Sequence, residues 1–336
     1  MQRYTGQSLE RIQSAALIAN DAIGNFVLST VVLQKLREAA PEATITLFCG
    51  SRAAELSHAS HLTDAVVDFH GMDPRQARSL PELAGFDFVM NLESTTASKY
   101  LAGMLPAEEG YVCGPCVAPD HRGDWDFPAD PQGDLWRDTG WISADLTQRF
   151  PFLTTGFIGE IFCRLAYFQG PVPRYAVPTE PSNLNPPDVI FSTSASLPNK
   201  LWQHRHWLDV AQRLTSAGKT AALVGAAPKA NAQFWRGAEL DEQLIASGHV
   251  QDLRGKLSLP QVADLLGQST VLTLDNGIMH LAVAGGRPVI GLFREGIHRL
   301  WAPPYDNLHP IVAEPKASVE TIEIERVWKT LEMVLE

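Results

Sequence analysis

Apolar runs of strand length alternate with amphipathic runs of helix length along this chain, and the alternation begins twice. Parallel strands are joined through crossovers of a dozen or more residues, usually helices, so this rhythm predicts α/β domains built on parallel sheets. In the first stretch strands are expected over residues 14–19, 44–49, 65–69 and 86–92, with helices over 26–39, 53–60 and about 95–105. Val27, Val31, Val32 and Leu36 recur at helical spacing in the first of those helices. Six prolines (Pro171, Pro173, Pro178, Pro181, Pro186 and Pro187) then interrupt the pattern. Proline continues neither a helix nor a central strand, so residues 171–188 are predicted to be a linker.

The alternation restarts with strands expected over 189–192, 220–224, a short segment ending near 253, 271–274 and 288–293. Helices are expected over about 204–216, 229–242, 259–266, 277–284 and 319–335. Ser258 with Gln261 three residues on is a capping-box pair and marks the start of the third of these. The chain thus divides into a Rossmann-like domain over 1–170, the linker, a second such domain over 189–318 and a closing helix over 319–336. No internal repeat of solenoid period is present.

With 336 residues, 45% of them hydrophobic, the chain is long enough for about two cores. Its net charge of −11 argues against nucleic acid or an anionic bilayer as partner, because a polyanion repels such an average. The charge is unevenly spread: 12 basic against 21 acidic residues up to 170, then 15 against 17. An anionic ligand is therefore expected in the second half. Met1 to Arg11 is polar and no apolar stretch approaches the roughly 20 residues of a membrane span, so a cytoplasmic protein without a membrane segment is expected. The four cysteines are expected as reduced thiols.

Two stretches of the second half carry chemistry. Thr273-Leu-Asp-Asn-Gly-Ile-Met-His280 is a strand that opens directly into a helix, and the free amides of a first helical turn suit a phosphate. Gly277 permits close approach to the backbone; in the plainer reading, Asp275 or Asn276 is only an N-cap. Ser192-Thr-Ser-Ala-Ser-Leu-Pro-Asn-Lys-Leu-Trp202 is a hydroxyl-rich loop with one lysine, a combination that hydrogen-bonds and charge-pairs a pyrophosphate; otherwise it is a solvated loop. In a doubly wound sheet the loops at neighbouring carboxyl ends open on one crevice.

Ser194-Ala-Ser196, Lys200-Leu-Trp202, Gly255-Lys-Leu-Ser-Leu and Asp275-Asn-Gly-Ile-Met-His280 together resemble glycosyltransferase family 9, the ADP-heptose:lipopolysaccharide heptosyltransferases. Gly24-Asn-Phe-Val-Leu-Ser-Thr-Val-Val-Leu resembles that family's N-terminal Gly-Asp helix. The resemblance implies a GT-B architecture: α/β, two Rossmann-like domains facing each other across a cleft, the nucleotide sugar held by the C-terminal one and the acceptor by the N-terminal one. It implies that Lys200 and Ser196, with Ser194, hold the diphosphate, that the Asn276-Gly277 turn cradles it and that His280 supports it. Asp275 would orient sugar hydroxyls, and Lys256-Leu257-Ser258 would border the adenosine. No metal and no separate cofactor is implied; the donor, ADP-heptose or a related nucleotide sugar, is a substrate.

The main departure falls on the base. The family's Asp is Asn25 here, and an amide takes no proton at neutral pH. Asp21, in the same strand-to-helix loop, is the leading candidate base, with Glu93, after the strand over 86–92, the second. Another departure is Lys229-Ala-Asn231, where a glutamate for the ribose is expected.

Other signals point elsewhere less well. Cys113-Gly-Pro-Cys116 spells a redox motif, but the prolines and glycines that follow allow no helix to stabilise a thiolate, and neither Cys49 nor Cys163 lies near in sequence to complete a zinc site. Asp124-Trp-Asp126 matches a metal-binding Asp-x-Asp but lies in the acceptor half, and Gly218-Lys-Thr220 is a turn. The segment 120–138 holds six aspartates amid Trp125, Phe127 and Trp136. It reads as a solvated loop, or as a surface for an amino-bearing sugar. The expected activity is inverting, metal-independent heptosyl transfer from ADP-heptose to a lipopolysaccharide-type glycan or to a soluble amino-bearing acceptor. The alternative is a nucleotide-sugar-binding protein without turnover, given Asn25.

Overall fold

A computed structural model describes residues 1–70, 85–227 and 238–336. The chain forms two compact units, Met1–Ala176 and Val177–Glu336, which meet within the proline-rich stretch. Among the described residues no helix is long and apolar enough to cross a membrane.

The first unit is built on six strands: β1 (Gln2–Arg3), β2 (Ser14–Ile18), β3 (Thr44–Cys49), β4 (Ala65–Asp68), β5 (Phe86–Asn91) and β6 (Pro106–Cys113). All pair in parallel, in the order β1-β6-β5-β2-β3-β4. Ala15 through Ile18 are fully buried, because a central parallel strand has helices on both faces. Helix α1 (Ile23–Ala39) follows β2, and its apolar surface runs almost all round because it also packs against Ile158–Leu165. The sequence pattern missed β6, whose start, Pro-Ala-Glu-Glu-Gly, lacks an apolar run and whose register shifts against β5 between Phe86 and Phe88.

The second unit repeats the plan with β7 (Val189–Ser192), β8 (Ala221–Leu223), β9 (Gln251–Asp252), β10 (Thr270–Leu274), β11 (Val289–Phe293) and β12 (Leu308–Val312). Its parallel order, β12-β11-β10-β7-β8-β9, is the doubly wound Rossmann order, with the topological switch between β7 and β10. Edge strand β12 was not expected: His309 and Pro310 interrupt its apolar pattern, and a proline is tolerated there because only one side of an edge strand is paired. The capping box holds as the sequence indicates, Ser258 accepting from the Gln261 amide and Gln261 from that of Ser258, at the start of Leu259–Leu266. The expected helix over 229–242 begins outside the described residues; its described part is Ala238–Ala246. The expected closing helix over 319–335 is instead a 3-10 turn, Val319–Thr321, and a helix, Ile324–Leu335. The break has a cause: the Ile322 carbonyl accepts from the buried Trp202 indole N–H at 2.8 Å. That helix buries Val327 and Leu331 in a core shared with Phe191, Trp202, Trp207, Leu272 and Leu292.

Candidate functional site

At the switch point of the second unit the two singled-out stretches come together. Helix α2 (Gly277–Ala284) follows β10 directly, with Asn276 as N-cap, its Oδ1 accepting from the Met279 amide at 3.1 Å. The N-cap reading is therefore correct for Asn276, and the residue does more. Its Nδ2 donates to Ser192 Oγ at 3.0 Å and to the Ser194 carbonyl at 2.9 Å, which ties the end of β7 to that of β10. Lys200 closes a 3-10 turn started by Pro198, and its Nζ lies 2.7 Å from Asp275 Oδ2 and 3.3 Å from the Asp275 carbonyl. Trp202, two residues on, anchors that turn in the core. Ser196 is exposed on the same loop.

Below this surface His280 is 2% exposed, with its ring edge-on to Trp301. Burial drives its pKa down to about 4, against the pull of Asp275 and with the help of Lys200, so near pH 7 the imidazole is neutral. The turn at Lys256 and Leu257 borders the loop after β8, Gly255 N donating to the Gly225 carbonyl at 2.9 Å. Gly255 has φ +65° and a Cβ there would come within 2.6 Å of Ala227 Cβ, so both backbone and space require glycine. Lys256 Nζ reaches the Asp252 carbonyl at 2.6 Å. Lys229 and Asn231 lie outside the described residues.

Sequence reasoning missed a buried ionic network behind these loops. Arg254 donates twice to Asp252, at 2.8 and 2.9 Å, and pairs with Glu242 at 3.0 Å, while Asp241 accepts from Thr193 Oγ1 at 2.7 Å. Only the Asp252-Leu-Arg254 spacing hints at it, since Asp241 and Glu242 come from the helix before β9.

In the first unit the corresponding switch lies between β2 and β5. Asn20, after β2, donates through Nδ2 to Glu93 Oε2, after β5, at 3.2 Å. Asp21 turns instead to Arg52: the Arg52 amide donates to Oδ1 at 3.0 Å and Nε to Oδ2 at 2.5 Å. Burial works to raise the Asp21 pKa, and the Arg52 hydrogen bonds and charge outweigh it, leaving the carboxyl below its usual range. Glu93 is shifted upward by burial, which the Asn20 hydrogen bond and His70 only partly offset. Asn25 sits in the first turn of α1, its amide donating to the Ala22 carbonyl at 3.0 Å. Neither Arg52 nor His70 was marked by any sequence pattern.

Residues 167–329 match the model of glycosyltransferase family 9 (heptosyltransferase), a span that holds β7 through β12 and both tied loops. Just under half of the chain is therefore similar to the heptosyltransferases of glycosyltransferase family 9. Over 97 residues it is 35% identical to the lipooligosaccharide heptosyltransferase 2 of Haemophilus influenzae, a match covering 29% of this chain and 28% of the relative's length. The fold matches the crystal structure of a family 9 glycosyl transferase from Veillonella parvula over 98% of both chains, with TM-score 0.73 and 16% identity. It also matches the E. coli ADP-heptose LPS heptosyltransferase II over 96% of this chain and 98% of that one, with TM-score 0.70 and 18% identity. The two parallel-sheet α/β units are thus those of the GT-B heptosyltransferase fold.

The remaining sequence signals have partners within the first unit. Burial drives the Cys113 thiol up to about 12 and the Cys116 thiol to about 11, the reverse of a redox-active thiolate. Among the described residues no three His, Cys, Asp or Glu side chains gather as a metal site. The segment 120–138 is not all loop. Asp130 and Pro131 start a helix, Pro131–Arg137, since proline at the first helical position costs no hydrogen bond. Asp130 caps that helix and accepts from Tyr167 Oη at 2.5 Å, Asp124 pairs with Lys99, Asp134 with Arg137, and Asp138 with Arg149. The Arg3 guanidinium covers Trp125 at 4.6 Å and Phe127 at 5.4 Å, and Phe127 stacks on Trp136. With Asp120 accepting from the Arg122 amide at 2.9 Å, five of the six aspartates and all three aromatic rings of that segment have partners within the unit.

Proposed function

We propose that the protein is an inverting, metal-independent glycosyltransferase that moves a heptosyl group from ADP-heptose to a lipopolysaccharide-type glycan. The observation that carries the donor assignment is the Lys200–Asp275 pair at the start of α2, on the switch point of a Rossmann-ordered sheet. The amides of the first turn of α2 present partial positive charge to a diphosphate, and Lys200 adds a full one. Negative charge grows on ADP as the anomeric C–O bond breaks, and cationic groups fixed in place stabilise it most at that moment. Asp275 accepts from sugar hydroxyls, and neutral His280 supports the phosphate as an N–H donor rather than as a cation. Ser194 and Ser196 offer further donors, and Lys256 with Leu257 borders the adenosine. ADP-heptose as donor and LPS as acceptor are those of the E. coli ADP-heptose LPS heptosyltransferase II, whose fold this chain resembles.

The pairing of most aspartates across 120–138 with groups of the same unit supports the glycan over an amino-bearing acceptor. Calorimetry with ADP tests the donor site: Lys200→Ala is expected to weaken binding about 10–100-fold, the range of a charge-assisted hydrogen bond. Unchanged affinity would place the diphosphate elsewhere. ADP release from ADP-heptose in the presence of a heptose-deficient lipopolysaccharide core then separates transfer from binding without turnover.

A further inference from the structure

Inverting transfer, the reading on which this inference rests, needs a group that takes the acceptor's proton, and the first unit offers two carboxylates in quite different settings. We propose that Glu93, and not Asp21, is the general base. β2 and β5 are neighbours on either side of the point where the strand order of the first sheet reverses. The loops that leave such neighbours at their carboxyl ends open the crevice where ligands of open α/β sheets bind. Glu93 leaves β5 there, and its backbone is held by a buried residue. Asn91 Oδ1 accepts from the Glu93 amide at 2.9 Å, and Asn91 Nδ2 donates to the Pro115 carbonyl at 2.7 Å. Among the described residues the Glu93 carboxylate receives one donor, the neutral Asn20 Nδ2, from the loop after β2. Among those same described residues the other titratable group acting on it is His70, beyond β4.

Asp21 has no such freedom. Both of its oxygens are engaged by Arg52, and Gly50 passes so close that a Cβ at that position would come within 2.1 Å of Asp21 Oδ1. A carboxylate shared with a guanidinium is a poor proton acceptor, whereas a half-buried carboxylate without a cationic hydrogen-bond donor holds a proton more firmly and suits a base working near neutral pH. Asp21 is thus a positioning residue that fixes Arg52 and the loop after β3. In the step itself the acceptor's O–H bond breaks and its proton goes to a Glu93 carboxylate oxygen. The acceptor oxygen bonds to the anomeric carbon, and the bond from that carbon to the β-phosphate oxygen breaks with its electron pair left on ADP.

The test uses the full chain, ADP-heptose and a heptose-deficient lipopolysaccharide core, with ADP binding by calorimetry beside ADP release across the acid-to-neutral range. Glu93→Gln is expected to bind ADP as the wild type does and to lose transfer by about 10²–10⁴-fold, the range of general base catalysis. Asp21→Asn is expected to stay within about tenfold of wild type, below that range. Wild-type kcat/KM should fall as pH drops through a limb lying above the ordinary glutamate range. Asn20→Ala, which removes a hydrogen bond favouring the ionised form, should move that limb to higher pH, a shift that a merely structural role for Glu93 would not produce. This variant keeps the idea open to refutation even if Glu93→Gln fails to fold. Transfer retained by Glu93→Gln, an unmoved limb in Asn20→Ala, or loss of transfer in Asp21→Asn with ADP binding intact would overturn the base assignment. A wild type that binds ADP yet releases none from ADP-heptose would overturn the transferase reading itself, and the base with it.

Discussion

His280 is an imidazole almost wholly out of water, one turn inside the helix whose start forms the proposed diphosphate site. Its pKa of about 4 when folded lies below the ordinary value of 6.5, so the unfolded chain binds the proton first as pH falls. Its contribution to stability is complete above pH 6.5 and is lost as pH drops towards about 4, up to about 3 kcal/mol. His280→Asn should flatten the stability curve in that window when denaturant midpoints are measured against pH. An unchanged slope would mean the ring is not the buried neutral group described. The cysteines give a second residue-scale expectation. All four are buried, so a thiol reagent should leave native protein almost unlabelled and should count four thiols once the chain is denatured. The Asp-Asn-Gly-x-x-His signature was legible because one helix turn carries it. The Asp21–Arg52 pair was not, since its members come from loops after different strands and only the folded sheet makes them neighbours.

At the scale of elements, Asn276 both caps α2 and ties β10 to β7. Losing an N-cap costs about 0.5–2 kcal/mol, and the two further hydrogen bonds add about 1 kcal/mol each. Asn276→Ala should therefore lower stability by about 2–4 kcal/mol in chemical denaturation, whereas Ser196→Ala, at an exposed site, should leave it nearly unchanged. Equal effects would show that Asn276 is no more than a surface polar residue. Most central strands and the long helices were readable from periodicity, because burial on two faces writes an unbroken apolar run. The elements that escaped were those where another constraint outranked the pattern. Proline broke the apolar run of the edge strand β12, a tertiary hydrogen bond from Trp202 split the last helix, and an Asp-Pro start hid Pro131–Arg137.

Across the whole molecule, the excess of acid in the first half was readable as a number, whereas the partners of the individual aspartates were not. The aspartates of 120–138 serve largely as caps and ion-pair partners once folded. The near-neutral second half carries the proposed diphosphate site, one lysine and one helix start. ADP at about 100 times its Kd should thus raise the stability of the full chain by about 2.7 kcal/mol, and Lys200→Ala should remove most of that gain. The central claim is transfer of a heptosyl group from ADP-heptose, and mass spectrometry of a heptose-deficient lipopolysaccharide core incubated with the protein and ADP-heptose tests it most directly. The expected result is a glycan heavier by one heptosyl unit with one ADP released for each; ADP-heptose bound and recovered intact beside an unchanged glycan would contradict it.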